Sequence, residues 1–238
     1  MKTIVIIPAG GSGKRFGGDV PKQYLTVGEI PVILRTLLAF EQHPQISAII
    51  VAAHPEWHEF LRHSSAQFGV QTLAAIVEGG AERQFSIANA LHSQAAADAD
   101  VILVHDAVRP FVSAGLITSV IQTAARFGAA VPALPPKDTI KRVVGDVVAE
   151  TPERASLRAA QTPQGFRAEI LRAAYNAAAA HSPGTDDASL AEAAGFPVTV
   201  VAGEEYNIKI TTQLDLQLAE IIAAKTNYRN PNETVERT

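Results

Sequence analysis

Cysteine is missing from all 238 residues. Disulfide staples, thiolate nucleophiles and Cys-ligated zinc are therefore excluded. The seven histidines are scattered without a paired spacing, so they do not indicate a zinc site either. Aromatic residues make up only 6% of the chain. A basic excess is lacking as well: 20 Lys and Arg face 24 Asp and Glu, for a net charge of −4. Broad nucleic-acid binding needs the opposite balance, although a local cationic site for a small anion is compatible with it. No segment approaches ~18 uninterrupted apolar residues, and the apolar run within Met1–Pro8 is far too short for a signal h-region. The expectation is a soluble, cytoplasmic protein with neither nucleic acid nor membrane as partner.

What is present is a chain that is 47% apolar. On folding, a chain of this length buries roughly 70% of the surface it exposes when unfolded, enough for one sizeable core. Length over ~150 residues gives one to two domains, and the patterning below favours a single domain over residues 1–225. Residues 226–238 are polar and read as a frayed tail.

Strand and helix signals alternate. Thr3–Ile7, Ala48–Ala53, Leu73–Val77, Val101–Val104 and Ala129–Leu134 read as strands. Helices are predicted at Val32–Phe40, Glu56–His63, Glu82–Gln94 and Leu116–Phe127. Continuous β-branched runs without polar alternation suit strands buried on both faces. The fold class that follows is α/β, a Rossmann-like, mainly parallel twisted sheet with helices on both faces. Ligands of such sheets sit beyond the carboxyl ends of the strands. Further on, a helix is predicted over Arg167–Ala180, a short one ending near Gly195, and strands over Val198–Ala202 and Asn207–Thr211. Thr212 and Asp215 resemble a capping pair opening a last helix to about Ala224.

One region departs from this alternation. Thr139–Val144 and Val147–Glu150 flank Gly145-Asp146, a two-residue spacing suited to a tight hairpin. An isolated two-stranded ribbon is marginal in water. It either folds onto its own domain or protrudes as a β-hairpin dimerisation arm against a second subunit.

Chemistry concentrates in a few segments. After the first strand comes Pro8-Ala9-Gly10-Gly11-Ser12-Gly13-Lys14-Arg15-Phe16-Gly17-Gly18, with Lys22 beyond. Five glycines allow backbone N–H groups to converge into an anion-binding nest, with Lys14, Arg15 and Lys22 adding charge. The dinucleotide fingerprint fails at Phe16, where Gly is required, and the Walker A loop fails at Pro8 and Arg15. An oligophosphate site remains. Gly80, Arg83 and Ser86 open a predicted helix, whose N-terminus suits a phosphate or a nucleobase edge. On the residues alone, an ordinary amphipathic helix with a surface Arg is the simpler reading there. Asp106 and Arg109, directly after the strand Val101–Val104, suit either Mg²⁺ or sugar-hydroxyl binding, or a structural ion pair. His105 reads as a structural histidine. Thr185 reads as a helix N-cap, and Arg154 reads as surface charge. Lys209, between Ile208 and Ile210, must face either a wet surface or an anionic ligand.

In order along the chain stand Pro-Ala-Gly-Gly-x-Gly-x-Arg15, Pro-Lys22-Gln-Tyr-Leu, His-Asp106-Ala-x-Arg109-Pro, Arg154, Gln161-Thr-Pro-Gln, Thr185-Asp-Asp-Ala-Ser189 and Asn207-Ile-Lys209. Together they resemble the 2-C-methyl-D-erythritol 4-phosphate cytidylyltransferase family, over nearly the whole chain from Ile7 to about Ala224. The resemblance implies transfer of CMP from CTP to a phosphorylated sugar alcohol, with release of pyrophosphate. It implies a homodimer whose arm spans about residues 133–156, and Mg²⁺ held mainly through the CTP phosphates, with Asp106 as a candidate ligand. Arg15 and Lys22 match transition-state-stabilising positions, and Arg154 and Lys209 match positions that orient the acceptor phosphate, near Thr185. Ala9, Gly10, Gly11, Gly13, Gly80, Arg83 and Ser86 would bind CTP. Asp106 and Arg109 would contact substrate hydroxyls or the metal–phosphate cluster. Arg154, next to the arm, would act in the neighbouring subunit's site.

Val108, Ala81 and Arg158 depart from the family's usual wording, where Ala, an acidic residue and an aromatic are frequent. The His-Asp-Ala-Val-Arg-Pro segment is shared with ribitol-5-phosphate cytidylyltransferases, the runner-up, whereas Thr185-Asp-Asp-Ala-Ser favours methylerythritol phosphate. A nicotinamide dehydrogenase is opposed by the failed fingerprint. A non-catalytic nucleotide sensor would have no use for Arg154 and Lys209 at a second anion.

Overall fold

The computed structural model describes residues 1–11, 20–178 and 184–225. Gly13, Lys14, Arg15, Gly17, Gly18, the end of the Arg167–Ala180 helix and the 226–238 tail lie outside the described residues. In chain order the elements begin with β1 (Thr3–Pro8), β2 (Thr26–Val27), β3 (Ile30–Pro31), α1 (Val32–Glu41) and β4 (Ile46–Ala53). Next come α2 (His58–Gln67), β5 (Leu73–Glu78), α3 (Arg83–Leu91), β6 (Val101–Val104), α4 (Ala114–Phe127) and β7 (Ala129–Leu134). The last third holds β8 (Arg142–Val144), β9 (Val147–Glu150), β10 (Ala159–Ala160), β11 (Gln164–Arg167), α5 (Ala168–Ala178), α6 (Asp187–Ala193), β12 (Thr199–Ala202) and α7 (Gln213–Lys225).

The central sheet runs β5-β4-β1-β6-β11-β7, with β10 beside the far half of β7 and β12 on its other edge. The pairs β1–β4, β1–β6, β4–β5 and β7–β12 are parallel. This is the expected parallel sheet with both faces covered. In β1 the side chains alternate between two cores. Val5 and Ile7 join Ile33, Leu37 and Phe40 of α1 and Ile117 and Ile121 of α4. Ile4 and Ile6 join Ile87 of α3 and Leu171 of α5. A strand apolar at every position needs helices on both sides, which is why the run lacks alternation.

Two departures from the sequence reading matter. β11 lies antiparallel between β6 and β7, pairing Gly165 with Leu103 and with Ala130. It is only four residues long, and Gly165 interrupts its apolar pattern. That glycine is required by space: a Cβ there would stand 2.6 Å from Val120 Cγ1 and 3.0 Å from Leu103 Cδ2. The second departure is that Asn207–Thr211 is not a strand. It is irregular chain, tied to the domain by the Ile210 N–H donating to the Val108 carbonyl at 2.9 Å. Ile210 is buried in a third apolar cluster with Val27, Val108, Phe111, Ala219 and Ile222. The alternation still holds locally, so Lys209 turns away from that cluster.

The hairpin forms, shorter than predicted. β8 and β9 pair across Gly145, whose φ of +58° suits the tight turn. Thr139–Lys141 lies outside the ribbon, and Ala133 and Leu134 belong to β7, so the protruding part begins after the sheet. Every residue of both strands is exposed, Val144 and Val147 by 69% and 73%. The ribbon therefore does not fold back onto its own domain. At the C-terminal end, Thr212 and Asp215 cap α7 as expected, with the Asp215 N–H donating to Thr212 Oγ1 at 3.2 Å and the Thr212 N–H to Asp215 Oδ2 at 2.8 Å.

Candidate active site

The carboxyl ends of β1, β5 and β6 open onto one cavity of about 190 Å³. Pro8–Gly11, Lys22, Gln23, Gly80–Arg83, Ser86, Asp106–Val108 and Lys209 line it. The glycine loop is fastened from beneath. Gln23 is buried, and its side-chain amide donates to the Ala9 carbonyl at 2.8 Å and the Gly11 carbonyl at 3.0 Å. The Ala9 N–H in turn donates to the Ala52 carbonyl at 2.7 Å, so the start of the loop is tied to β4 as well. Opposite, Ser86 Oγ accepts from the Gly80 N–H at 3.0 Å. A Cβ on Gly80 would sit 2.3 Å from the Phe85 Cβ, so the turn into α3 admits only glycine. Ser86 is thus a buried hydroxyl at the helix start, and not one position on an ordinary surface helix.

Asp106 is the electrostatic centre. Its Oδ2 lies 2.9 Å from Lys209 Nζ and 3.3 Å from Arg109 Nε, and its Oδ1 lies 3.5 Å from Arg83 Nε. Burial alone would raise this carboxyl's pKa. Lys209, Arg83 and Arg109 outweigh burial and hold it well below the usual carboxylate range. Arg83 reaches in the other direction too, 2.7 Å from Asp187 Oδ2, while Asp187 Oδ1 accepts from the Tyr175 hydroxyl at 2.6 Å. Burial works against the Arg83 charge, but Asp187 and Asp106 together raise its pKa above normal. Arg83 is therefore a doubly paired, partly buried cation and not the surface Arg of the simpler sequence reading. With three cations on two carboxylates, the network carries a net charge of about +1, and Lys22 adds to it.

Behind this network His105 is fully buried. Its protonation follows from its neighbours. The Asp106 N–H donates to Thr162 Oγ1, so the single Thr162 proton goes to His105 Nδ1, 3.1 Å away. Nε2–H then donates to the Arg109 carbonyl at 3.0 Å. Burial holds the pKa down at about 4, so the ring is neutral and structural, as expected. Gln161 and Gln164, known from the sequence only as motif letters, are ties. Gln161 Nε2 donates to the Glu204 carbonyl at 2.8 Å. Gln164 Nε2 donates to Asp186 Oδ2 at 2.7 Å, and its Oε1 accepts from the Ala188 N–H at 2.9 Å. Asn207 Nδ2 donates to the Thr162 carbonyl at 2.8 Å, and the Asn207 carbonyl accepts from Arg109 at 2.8 Å. That contact fixes the base from which Lys209 extends.

The structure thus brings together Ala9, Gly10, Gly11, Lys22, Gly80, Arg83, Ser86, Asp106 and Lys209 around one cavity, with Arg109 packed beneath. Arg15 and Gly13 lie outside the described residues. Arg154 is not part of the lining; it is exposed by the hairpin, its guanidinium donating to the Lys137 carbonyl at 3.2 Å. Thr185 is exposed as well, and the N-cap of α6 is Asp186, whose carboxylate accepts from the Ser189 N–H at 2.9 Å. The sequence reading missed Asp187, Tyr175, Thr162 and Gln23 as individual contributors. Gln23, Thr162 and Asp187 sit inside quoted motifs, so position beside a named residue was their signal; Tyr175 had none. Among the described residues no group of three His, Asp or Glu is placed to hold a metal ion. Asp106 does not fit the role of metal ligand, because Lys209, Arg109 and Arg83 already surround its carboxylate with positive charge.

A family model for 2-C-methyl-D-erythritol 4-phosphate cytidylyltransferase matches residues 3–225. This chain belongs to that family. The cytidylyltransferase of Bacillus thuringiensis is 44% identical over 217 residues, covering 91% of this chain and 95% of the relative. A bifunctional enzyme of Rhodospirillum rubrum is 45% identical over 92% of this chain, which spans 56% of that longer protein. Among solved structures, the cytidylyltransferase of Thermus thermophilus superposes with a TM-score of 0.76 at 38% identity, covering 94% of this chain and all of the other. The synthase structure from Anaerococcus prevotii gives a TM-score of 0.83 at 29% identity, covering 94% and 96%. No helix among the described residues is long and apolar enough to cross a membrane.

Proposed function

We propose that this chain transfers CMP from CTP to 2-C-methyl-D-erythritol 4-phosphate, a step in isoprenoid precursor synthesis in the cytoplasm. The observation that supports it best is that Lys22 and Lys209, far apart in sequence, line one cavity in which Asp106 also pairs with Lys209 and Arg83. A phosphate oxygen of the acceptor attacks the α-phosphorus of CTP in line. The new P–O bond forms as the bond from the α-phosphorus to the bridging oxygen breaks, and pyrophosphate leaves. A phosphate monoester dianion is already a nucleophile, so no strong general base is needed. The barrier lies in juxtaposing anions and stabilising charge on the transferring group.

In this reading the loop Ala9, Gly10, Gly11 and Gly13 cradles the triphosphate, with Ala9 anchoring it to β4 through its N–H to the Ala52 carbonyl, and Arg15 and Lys22 stabilise the charge that develops on it. Gly80 and Ser86 receive the cytidine end. Arg83 organises that wall from its place between Asp106 and Asp187. Asp106 and Arg109 anchor the floor, and Lys209 faces the acceptor phosphate. A divalent cation such as Mg²⁺ would neutralise triphosphate charge, and it would be held through the CTP phosphates in preference to Asp106. Arg154 and Thr185, both exposed, complete the acceptor side only if the hairpin of one subunit reaches the cavity of the other. The proposal therefore includes a homodimer with the β8–β9 ribbon as its arm. A pyrophosphate-release assay with CTP, Mg²⁺ and a panel of sugar-alcohol phosphates tests the reading. Release with methylerythritol phosphate well above ribitol 5-phosphate is expected. Preference for ribitol 5-phosphate would reassign the acceptor, and no release with any acceptor would overturn the reading.

A further inference from the structure

The chain's single tryptophan, Trp57, is not among the residues lining the cavity, yet it packs on the turn that carries two of them, Lys22 and Gln23. Its ring stacks on Tyr24 with centroids 3.9 Å apart and planes within 10° of parallel. Phe60 meets both rings edge-on, at 5.6 Å from Tyr24 and 5.7 Å from Trp57. Two segments supply these rings. Tyr24 ends the three-residue turn Lys22–Tyr24. Trp57 ends the turn Pro55–Trp57 that leads from the carboxyl end of β4 into α2, and α2 carries Phe60. Trp57 Nε1 donates to its neighbour Glu56 at 3.0 Å, which satisfies the indole edge and leaves its face for Tyr24.

The Lys22–Tyr24 turn has little of its own to hold it. Its backbone bonds are the Tyr24 N–H to the Pro21 carbonyl at 2.9 Å and the Leu25 N–H to the Lys22 carbonyl at 3.3 Å. Among the described residues its N-terminus has no side-chain cap. A single turn with this hydrogen-bond pattern is weakly self-stabilised, so side chains must fix its place. Gln23 does so on the inner side through Ala9 and Gly11. On the outer side Tyr24 is buried, and burial raises its hydroxyl pKa and keeps it neutral. It contributes an aromatic face, and offset or edge-on ring pairs are directional contacts.

We propose that Trp57 is a positioning residue for Lys22: the Trp57–Tyr24 stack, buttressed by Phe60, holds the Lys22–Tyr24 turn where Lys22 meets the triphosphate. The kinetic part of this inference rests on the transferase reading; the structural part does not. Lysine is a point charge on a flexible four-carbon stem, so its aim depends on a backbone that does not drift. Displacement of a charge-stabilising group by about 1 Å is enough to lower a rate substantially.

The test is a double-mutant cycle, Trp57→Ala and Trp57→Phe in the wild-type and Lys22→Ala backgrounds, read by pyrophosphate release. Trp57→Ala is expected to lower kcat about 10-fold with a smaller change in KM for CTP, and Trp57→Phe, which keeps a ring on Tyr24, to restore most of it. In the Lys22→Ala background Trp57→Ala is expected to cost nothing further. Equal losses in both backgrounds would overturn the inference, because Trp57 would then act on stability alone. Amide hydrogen exchange supplies the second arm. Tyr24 and Leu25 are expected to exchange faster in Trp57→Ala while β1 and β4 keep their protection. Unchanged exchange at Tyr24 and Leu25 would also overturn it. A wild-type protein that releases no pyrophosphate would defeat the transferase reading, while the exchange arm would still decide whether the stack holds the turn.

Discussion

Lys209 Nζ stands 2.9 Å from Asp106 Oδ2, joining residues 103 positions apart, one in irregular chain and one at the end of a buried strand. Asp106 is thereby the hub to which Lys209, Arg109 and Arg83 are attached, rather than a group reserved for substrate or metal.

Replacing that hub should be costly in two measurable ways. In Asp106→Asn three cations lose their common counter-charge, and breaking such a buried cluster costs about 3 kcal/mol. Turnover should fall about 10²-fold as the cations lose their aim. The pH dependence follows from the direction of the shift. The folded-state pKa of Asp106 is depressed, so its stabilisation is fully present above the unfolded value near 4 and is lost as pH falls further. Denaturant titrations of wild type and Asp106→Asn should differ by a constant amount from pH 5 to 8, with the difference shrinking progressively as pH falls below 4 toward the depressed folded-state pKa. Convergence at neutral pH would show that the cluster contributes nothing.

The lysines lining the cavity should matter for turnover. Lys22→Ala and Lys209→Ala are each expected to reduce pyrophosphate release by about 10²-fold or more. If release is unchanged in both variants, the mechanism is wrong.

His105 makes a separate acid-range prediction. Burial depresses its pKa to about 4, so the unfolded chain binds the proton first as pH falls from 6.5. Stability should therefore decline between pH 6.5 and 4, by roughly 3 kcal/mol in total from this group. His105→Gln should remove that slope while costing stability at pH 8. A slope of the same steepness in the variant would show that other groups cause it.

The ribbon β8–β9 exposes Val143, Val144, Val147 and Val148 by more than half each. Deleting residues 139–150 is expected to convert a dimer to a monomer in sedimentation at low micromolar concentration. A dimer that persists without the ribbon would place the interface elsewhere.

Much of this was legible from residue types. The double-faced strand Thr3–Pro8 and the capping pair Thr212/Asp215 are local signals, and local signals survive folding. Gly80 is required by the close approach of Phe85, whereas most of the glycine loop that follows β1 lies outside the described residues. Arg83 was not, because its role depends on Asp187, 104 residues away, and no spacing rule links the two. Nor was β11, whose four residues are a strand only because two bare edges receive them. Lys209 was read in the right place on the wrong element: alternation between Ile208 and Ile210 needs one buried neighbour, not a ladder of hydrogen bonds. Arg154 and Thr185 were visible only through resemblance, and a single chain leaves both in solvent.

The position of β11 bears on how the chain is made. Neither β6 nor β7 bonds to the other; each bonds to β11, which is translated some thirty residues after β7 ends. A nascent chain that has not yet released residue 167 from the ribosome therefore carries a vacant slot between two unsatisfied strand edges, the kind of edge that recruits foreign strands. Pausing within that interval leaves the slot open to misassembly, and a chaperone that shields it would act on the slot rather than on the finished cavity.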